Sequence, residues 1–262
     1  MRPQLYCAML AAAVVVPSAV PPSVRAQAWG GNPDARIVEE ARLVASGTRV
    51  DLYEHGIRAD RALVAASERA IVRMEELLGR KLDEATLGPR IRIYVSASTK
   101  ISHLWRGYRH PSDPRPFVFL NPRVADLAVS GVNATYAHEL AHLLTWRYRS
   151  HTLREGLADY LALQLHPRAA VGPNFYGDTS PPAVPPEVEE YLGTTRPAPD
   201  AVISDAQFRR AYYYASYRFV RYLVGRAGME TFMKLYDAED PGAEVSRLYG
   251  ASLPELVAAA AK

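Results

Sequence analysis

The chain has 262 residues, with 31 Lys and Arg against 28 Asp and Glu, and 48% of its residues are hydrophobic. That length suffices for one large domain or two small lobes. A formal net charge of +3 excludes an electrostatic argument for nucleic acid or an anionic membrane surface, and a single Cys excludes an internal disulfide. Residues 1–28 read as a secretory leader. Arg2 gives a positive start, Cys7 to Val16 is an Ala- and Val-rich apolar run, and Ala26-Gln27-Ala28 fits a signal-peptidase site. The mature chain is therefore expected to begin at Trp29 and to be exported, periplasmic or secreted from a bacterial-type envelope. Its removal would take away Cys7, and with it any thiolate ligand or nucleophile. The apolar run is too short to span a bilayer, Pro17 interrupts it, and no later segment is long and apolar enough to cross.

Arg49 to Tyr53 alternates as a short strand. Asp60 can cap a helix running to about Leu78, with Leu63, Val64, Ile71, Met74, Leu77 and Leu78 on its apolar side and Gly79 ending it. Ile91-Arg92-Ile93-Tyr94-Val95 is a period-two strand, and Phe117-Val118-Phe119-Leu120 is a second, stopped by Asn121-Pro122. Gly131 and Asn133 open a helix expected to reach Tyr148; Leu153 to Leu165 forms another, ended by Pro167. Six prolines between Pro181 and Pro199 argue against regular structure there. Helices follow over Asp205 to Arg226 and Gly228 to Tyr236, and Ser252-Leu253-Pro254-Glu255 is a capping box with Pro in the first turn of the last helix. Strands with helices first, then helices alone, predict an α+β fold: a mixed lobe over 29–178, a Pro-rich connection over 179–204 and a helical lobe over 205–262.

The chemistry gathers at His138-Glu139-Leu140-Ala141-His142. On a helix, residues four apart share a face, so both imidazoles can reach one metal ion while Glu139 can touch a water bound to it. A metal site needs a third protein ligand, and His151, Glu155, Asp159 and His166 are the downstream candidates. Glu155 is the best placed, because it begins a helix that can fold back antiparallel after the turn near Ser150. Asp159, one turn further on the same face, can accept the remaining N–H of a ligand imidazole and fix its tautomer. If Glu155 served only as an acid at a helix N-terminus, Asp159 would take its place as ligand. His103, His110 and His166 read as surface or loop residues.

Two blocks, Tyr136-Ala137-His138-Glu139-Leu140-Ala141-His142 and Arg154-Glu155-Gly156-Leu157-Ala158-Asp159-Tyr160, resemble the gluzincins, and more closely the bacterial peptidase-MA-like proteins. A third, Tyr213-Tyr214-Ala215-Ser216 with Gly228 beyond it, is similar to that family's later Tyr-x-x-Ser helix, so the likeness spans about residues 50 to 236. The sequence departs from the family in a short spacing between His142 and Glu155, and in Thr152-Leu153 standing where a Trp is usual. The resemblance implies a zincin-like fold and one Zn²⁺ per chain held by His138, His142 and Glu155. It also implies Glu139 as the catalytic carboxylate, Tyr213 (or a neighbour, Tyr212 or Tyr214) as a donor to the reacting carbonyl, and a peptide or protein substrate. The strand preceding the motif helix in that fold edges the cleft and pairs with extended substrate, a place that falls to Phe117–Leu120. A silent zinc-binding scaffold and a hydrolase of non-peptide amides or esters share the same ligand set; Glu139 speaks against the scaffold, which needs no base.

Overall fold

The computed structural model describes residues 33–104, 117–145, 148–167 and 182–262. The expected leader with its cleavage site, and His110, lie outside these residues. Helix α1 (Pro33–Glu40) leads into strands β1 (Arg42–Ser46) and β2 (Val50–His55), helix α2 (Ala62–Leu78), a short α3 (Glu84–Leu87) and β3 (Ile91–Ser96). Then come β4 (His103–Leu104), β5 (Val118–Leu120), α4 (Pro122–Ser130), α5 (Thr135–Leu144) and α6 (His151–Leu165). Two short helices, α7 (Pro186–Glu189) and α8 (Ala201–Ser204), precede the long α9 (Ala206–Met233), α10 (Pro241–Tyr249) and α11 (Leu253–Ala260). The described residues are thus helix-rich around a five-stranded mixed sheet, consistent with an α+β fold.

The sheet runs β1-β2-β3-β5-β4, with β2, β3 and β5 parallel and the outer strands β1 and β4 antiparallel to their neighbours. Alternation sorts its side chains. Val50, Leu52, Ile91, Ile93, Val118 and Leu120 join the main core with α2, α5, α6, α9 and α11, while Tyr94, Phe117 and Phe119 face the other way and pack with Ile37 of α1. Under the first face, the buried carboxylate of Glu75 accepts from Arg49 Nη1 and Nη2 at 3.0 and 2.6 Å, from the Leu82 N–H at 2.7 Å and from Lys81 Nζ at 3.2 Å. Burial alone would raise this carboxyl; the Arg49 bonds, the Leu82 amide and Lys81 outweigh it and hold it at about 2.

Four expectations change. Phe117–Leu120 is not the edge of the sheet, because β5 is bonded to β3 on one side and β4 on the other. Alternation reports the two faces of a strand and says nothing of its neighbours. The motif helix ends at Leu144, and Tyr148 lies buried beyond it. Gly131 does not open that helix. It closes α4 in the left-handed region at φ +74°, and α4 itself starts where Asn121 accepts from the Arg123 N–H and Pro122 takes the first turn. The Asn-Pro pair that stops β5 therefore also begins a helix. Finally, the Pro-rich connection contains α7 and α8, since Pro186 sits at the start of a helix, where a missing N–H costs nothing. In contrast, α9 breaks at Gly228 (φ +80°, ψ 163°), where the sequence separates two helices, and Ser252 and Glu255 form the reciprocal cap of α11. No helix among the described residues is long and apolar enough to cross a membrane.

Candidate metal centre

α5 is anchored on its core side by Ala137, Leu140 and Ala141, all buried, and by a hydrogen bond between the hydroxyls of Tyr136 and Ser67 of α2. This orientation sends His138 and His142 toward α6, whose start is capped by Ser150 accepting from the Leu153 N–H. α6 returns alongside α5 and delivers Glu155 and Asp159, so that these four side chains are buried, as is Glu139.

His138 Nε2 and His142 Nε2 lie 3.0 Å apart, and Glu155 Oε2 stands 3.4 Å from the first and 3.2 Å from the second. Donor atoms about 2.1 Å from a tetrahedral metal would lie about 3.4 Å from one another, so this triangle is a face of the size a small divalent ion requires. Two nitrogens and a carboxylate oxygen converging in a buried spot are a donor set without a hydrophobic explanation. His138, His142 and Glu155 can therefore hold a metal ion.

Asp159 Oδ1 accepts from His138 Nδ1 at 2.6 Å, which leaves the Nε2 lone pair facing the centre. Burial raises the Asp159 carboxyl to about 6, against the pull of His138. Burial also works against a charged His138, but Asp159, Glu155 and Glu139 outweigh it and lift that imidazole well above its ordinary value. A metal ion at the centre would therefore compete with a proton for His138. Glu155 shows the converse: burial raises it, while His142 and His138 hold it well below the ordinary range.

The second oxygen of Glu155 is held from behind. Arg154 Nε and Nη2 donate to Oε1 at 3.2 and 3.1 Å, and His151 Nε2 lies 3.7 Å away. His151, weighed as a ligand from sequence, is instead a neighbour of the ligand; its Nδ1 meets the Tyr212 hydroxyl at 3.1 Å. Its i,i+4 relation to Glu155 was the signal that could have shown this. Arg154 escaped notice because residues one apart on a helix do not ordinarily face each other. His166 caps the C-terminus of α6, half-buried. His103, expected at the surface, is partly exposed and lies in β4 against Asp34 of α1.

Tyr213 is the tyrosine of its cluster that reaches the centre, its ring stacked over His138 with centroids 6.2 Å apart. The charge of Glu155 first, then burial, raise its phenol well above the ordinary value, so it stays a hydrogen-bond donor. α9 comes this close because of Gly156. A Cβ there would lie 2.2 Å from the Ser216 carbonyl oxygen, so the backbones of α6 and α9 touch at a point where only glycine fits. The Glu-Gly of one block and the Tyr-x-x-Ser of the other are the two sides of this contact.

No protein-family model matches the chain, and no curated protein matches it in sequence. The gluzincin likeness therefore rests on the motif blocks, and the case for the centre on its geometry.

Proposed function

We propose that the protein is an exported zinc-dependent peptidase of zincin-like fold. The observation that carries this reading is the buried triangle of His138, His142 and Glu155 with Glu139 one residue from its first ligand. A zinc ion, when bound there, supplies Lewis acidity toward a water and a substrate carbonyl. Glu139 would serve as the base that takes a proton from the attacking water and passes it to the leaving amine. Its charge is felt by His138 and Tyr213, as a base beside the reacting atoms would be. Tyr213 donates to the oxyanion that develops on the carbonyl. Asp159 keeps His138 in the ligating tautomer, and Arg154 keeps Glu155 turned inward. β4, the last strand of the sheet among the described residues and packed near α5, is the strand along which an extended peptide would lie.

Glu139→Gln tests the reading against the silent scaffold, because it keeps volume and removes the base. The variant is expected to bind zinc as wild type does and to lose about 10²–10⁴ in peptide hydrolysis. Zinc content and turnover of a diverse peptide library are measured on the same sample. Equal turnover in both proteins, or none in either, would overturn the peptidase reading; loss of zinc in the variant would make Glu139 a ligand.

A further inference from the structure

Both ring nitrogens of His103 meet oxygens that accept. Nδ1 is 2.8 Å from the Ile101 carbonyl oxygen, and Nε2 is 2.8 Å from Asp34 Oδ2. A neutral imidazole carries one N–H, so filling both bonds to a carbonyl and a carboxylate requires the imidazolium. Asp34 stands in the first turn of α1 and is buried. The His103 ring stacks on Phe119 at 5.3 Å, within the apolar layer that also takes Ile37 of α1. α1 thus lies on the outer face of the sheet and reaches across to the strand next to the metal centre. At its other end Glu40 Oε2 is 3.3 Å from His55 Nε2, and His55 Nδ1 is 2.8 Å from Ser96 Oγ.

We propose that α1 is a proton-dependent clamp on β4: Asp34 and the charged His103 hold helix and strand together, and loss of the His103 proton loosens both as a unit. The charged groups facing His103 among the described residues are Asp34 from α1 and Glu139 from α5, while β5 presents the apolar Phe119. Burial opposes the charged ring, but Asp34, the Ile101 carbonyl and Glu139 outweigh it and raise its affinity for the proton above the ordinary value of 6.5. A raised value in the folded chain means that the clamp is at full strength below about pH 6.5 and is lost as pH climbs through the raised value. If the peptidase reading holds, alkaline release would raise KM for extended peptides more than it lowers kcat, because β4 would bind substrate without touching the reacting atoms.

The clamp is tested without any assay of turnover. Histidine NMR titration, together with amide exchange by mass spectrometry corrected for intrinsic rates, is run on the full chain from pH 6 to 9, for wild type and Asp34→Asn. His103 is expected to titrate above 6.5 in wild type and to fall back toward it in the variant. Exchange in residues 33–40 and 103–104 should rise together by at least about tenfold, in wild type at high pH and in Asp34→Asn throughout. Zinc content should not change. A His103 that titrates at or below 6.5 in wild type, or an α1 indifferent to pH in wild type, would overturn the proposal. So would an α1 that loosens while β4 stays protected.

Discussion

Asp159 is the most deeply buried acid of the centre, and it bonds to His138. A carboxylate placed there spends its desolvation on orienting a ring. Asp159→Asn keeps the shape and weakens the acceptor. The expected outcome is a 10–100-fold loss of zinc affinity with the fold retained, measured by competition with a chelator. Tyr213→Phe belongs to the same scale. Its hydroxyl is expected to act on the transition state alone, so kcat should fall by about 10²–10³ with KM little changed, and Tyr214→Phe should have no such effect. Both positions were legible in part from sequence. His138, Glu139, His142, Glu155 and Asp159 are fixed by i,i+4 spacing on two successive helices, and helical spacing is local. The register of Tyr213 among three adjacent tyrosines was not, since it depends on how a distant helix docks. Asp34 and His103 were invisible for the same reason: their pairing links elements 69 residues apart.

At the scale of elements, the position of α9 is decided by a missing methyl group. Gly156→Ala would push Cβ into the Ser216 carbonyl, and backbone is unable to give way as a side chain tip does. The expected cost is about 1–3 kcal/mol or more of stability, read as a lower Tm. Activity should fall beyond what the stability loss explains, because Tyr213 moves with α9. Sequence reading found the long periodic helices α2, α6 and α9 and the strands β2, β3 and β5, where alternation and caps extend over many residues. It missed the helices α1, α3, α4, α7, α8 and α10, which are short and begin at or near turn residues that also read as loops, and the short strands β1 and β4. It misjudged Gly131 because a glycine after one helix and before another carries both signals, and only the φ of +74° separates them.

For the whole molecule, the main apolar cluster runs unbroken from β2 to α11, so cooperative unfolding is expected to include both the sheet and the C-terminal helices. Glu75 couples that unfolding to pH. Its carboxyl is held at about 2 in the folded chain against 4.5 ordinarily. A lowered value means stability that is present above about pH 4.5 and lost as pH falls toward 2. Glu75→Gln should therefore be less stable at neutral pH by roughly 3–5 kcal/mol, since Arg49 loses its partner under the sheet. Its denaturation midpoint should also change less than that of wild type between pH 4.5 and 2. Urea titrations across that range measure both.

The separation of the partners along the chain also sets an order of assembly. His138 and Asp159 are 21 residues apart and belong to one helical hairpin, whereas Tyr213 arrives on a helix beyond the Pro-rich connection. Closing a short loop costs less chain entropy than closing a long one, and local contacts form sooner. A nascent chain emerging N-terminus first exposes the whole hairpin before α9 exists to pack on it. On the proposed function, the grip on an ion and the competence to react would thereby be separate events in the life of one molecule, with capture ahead of arming.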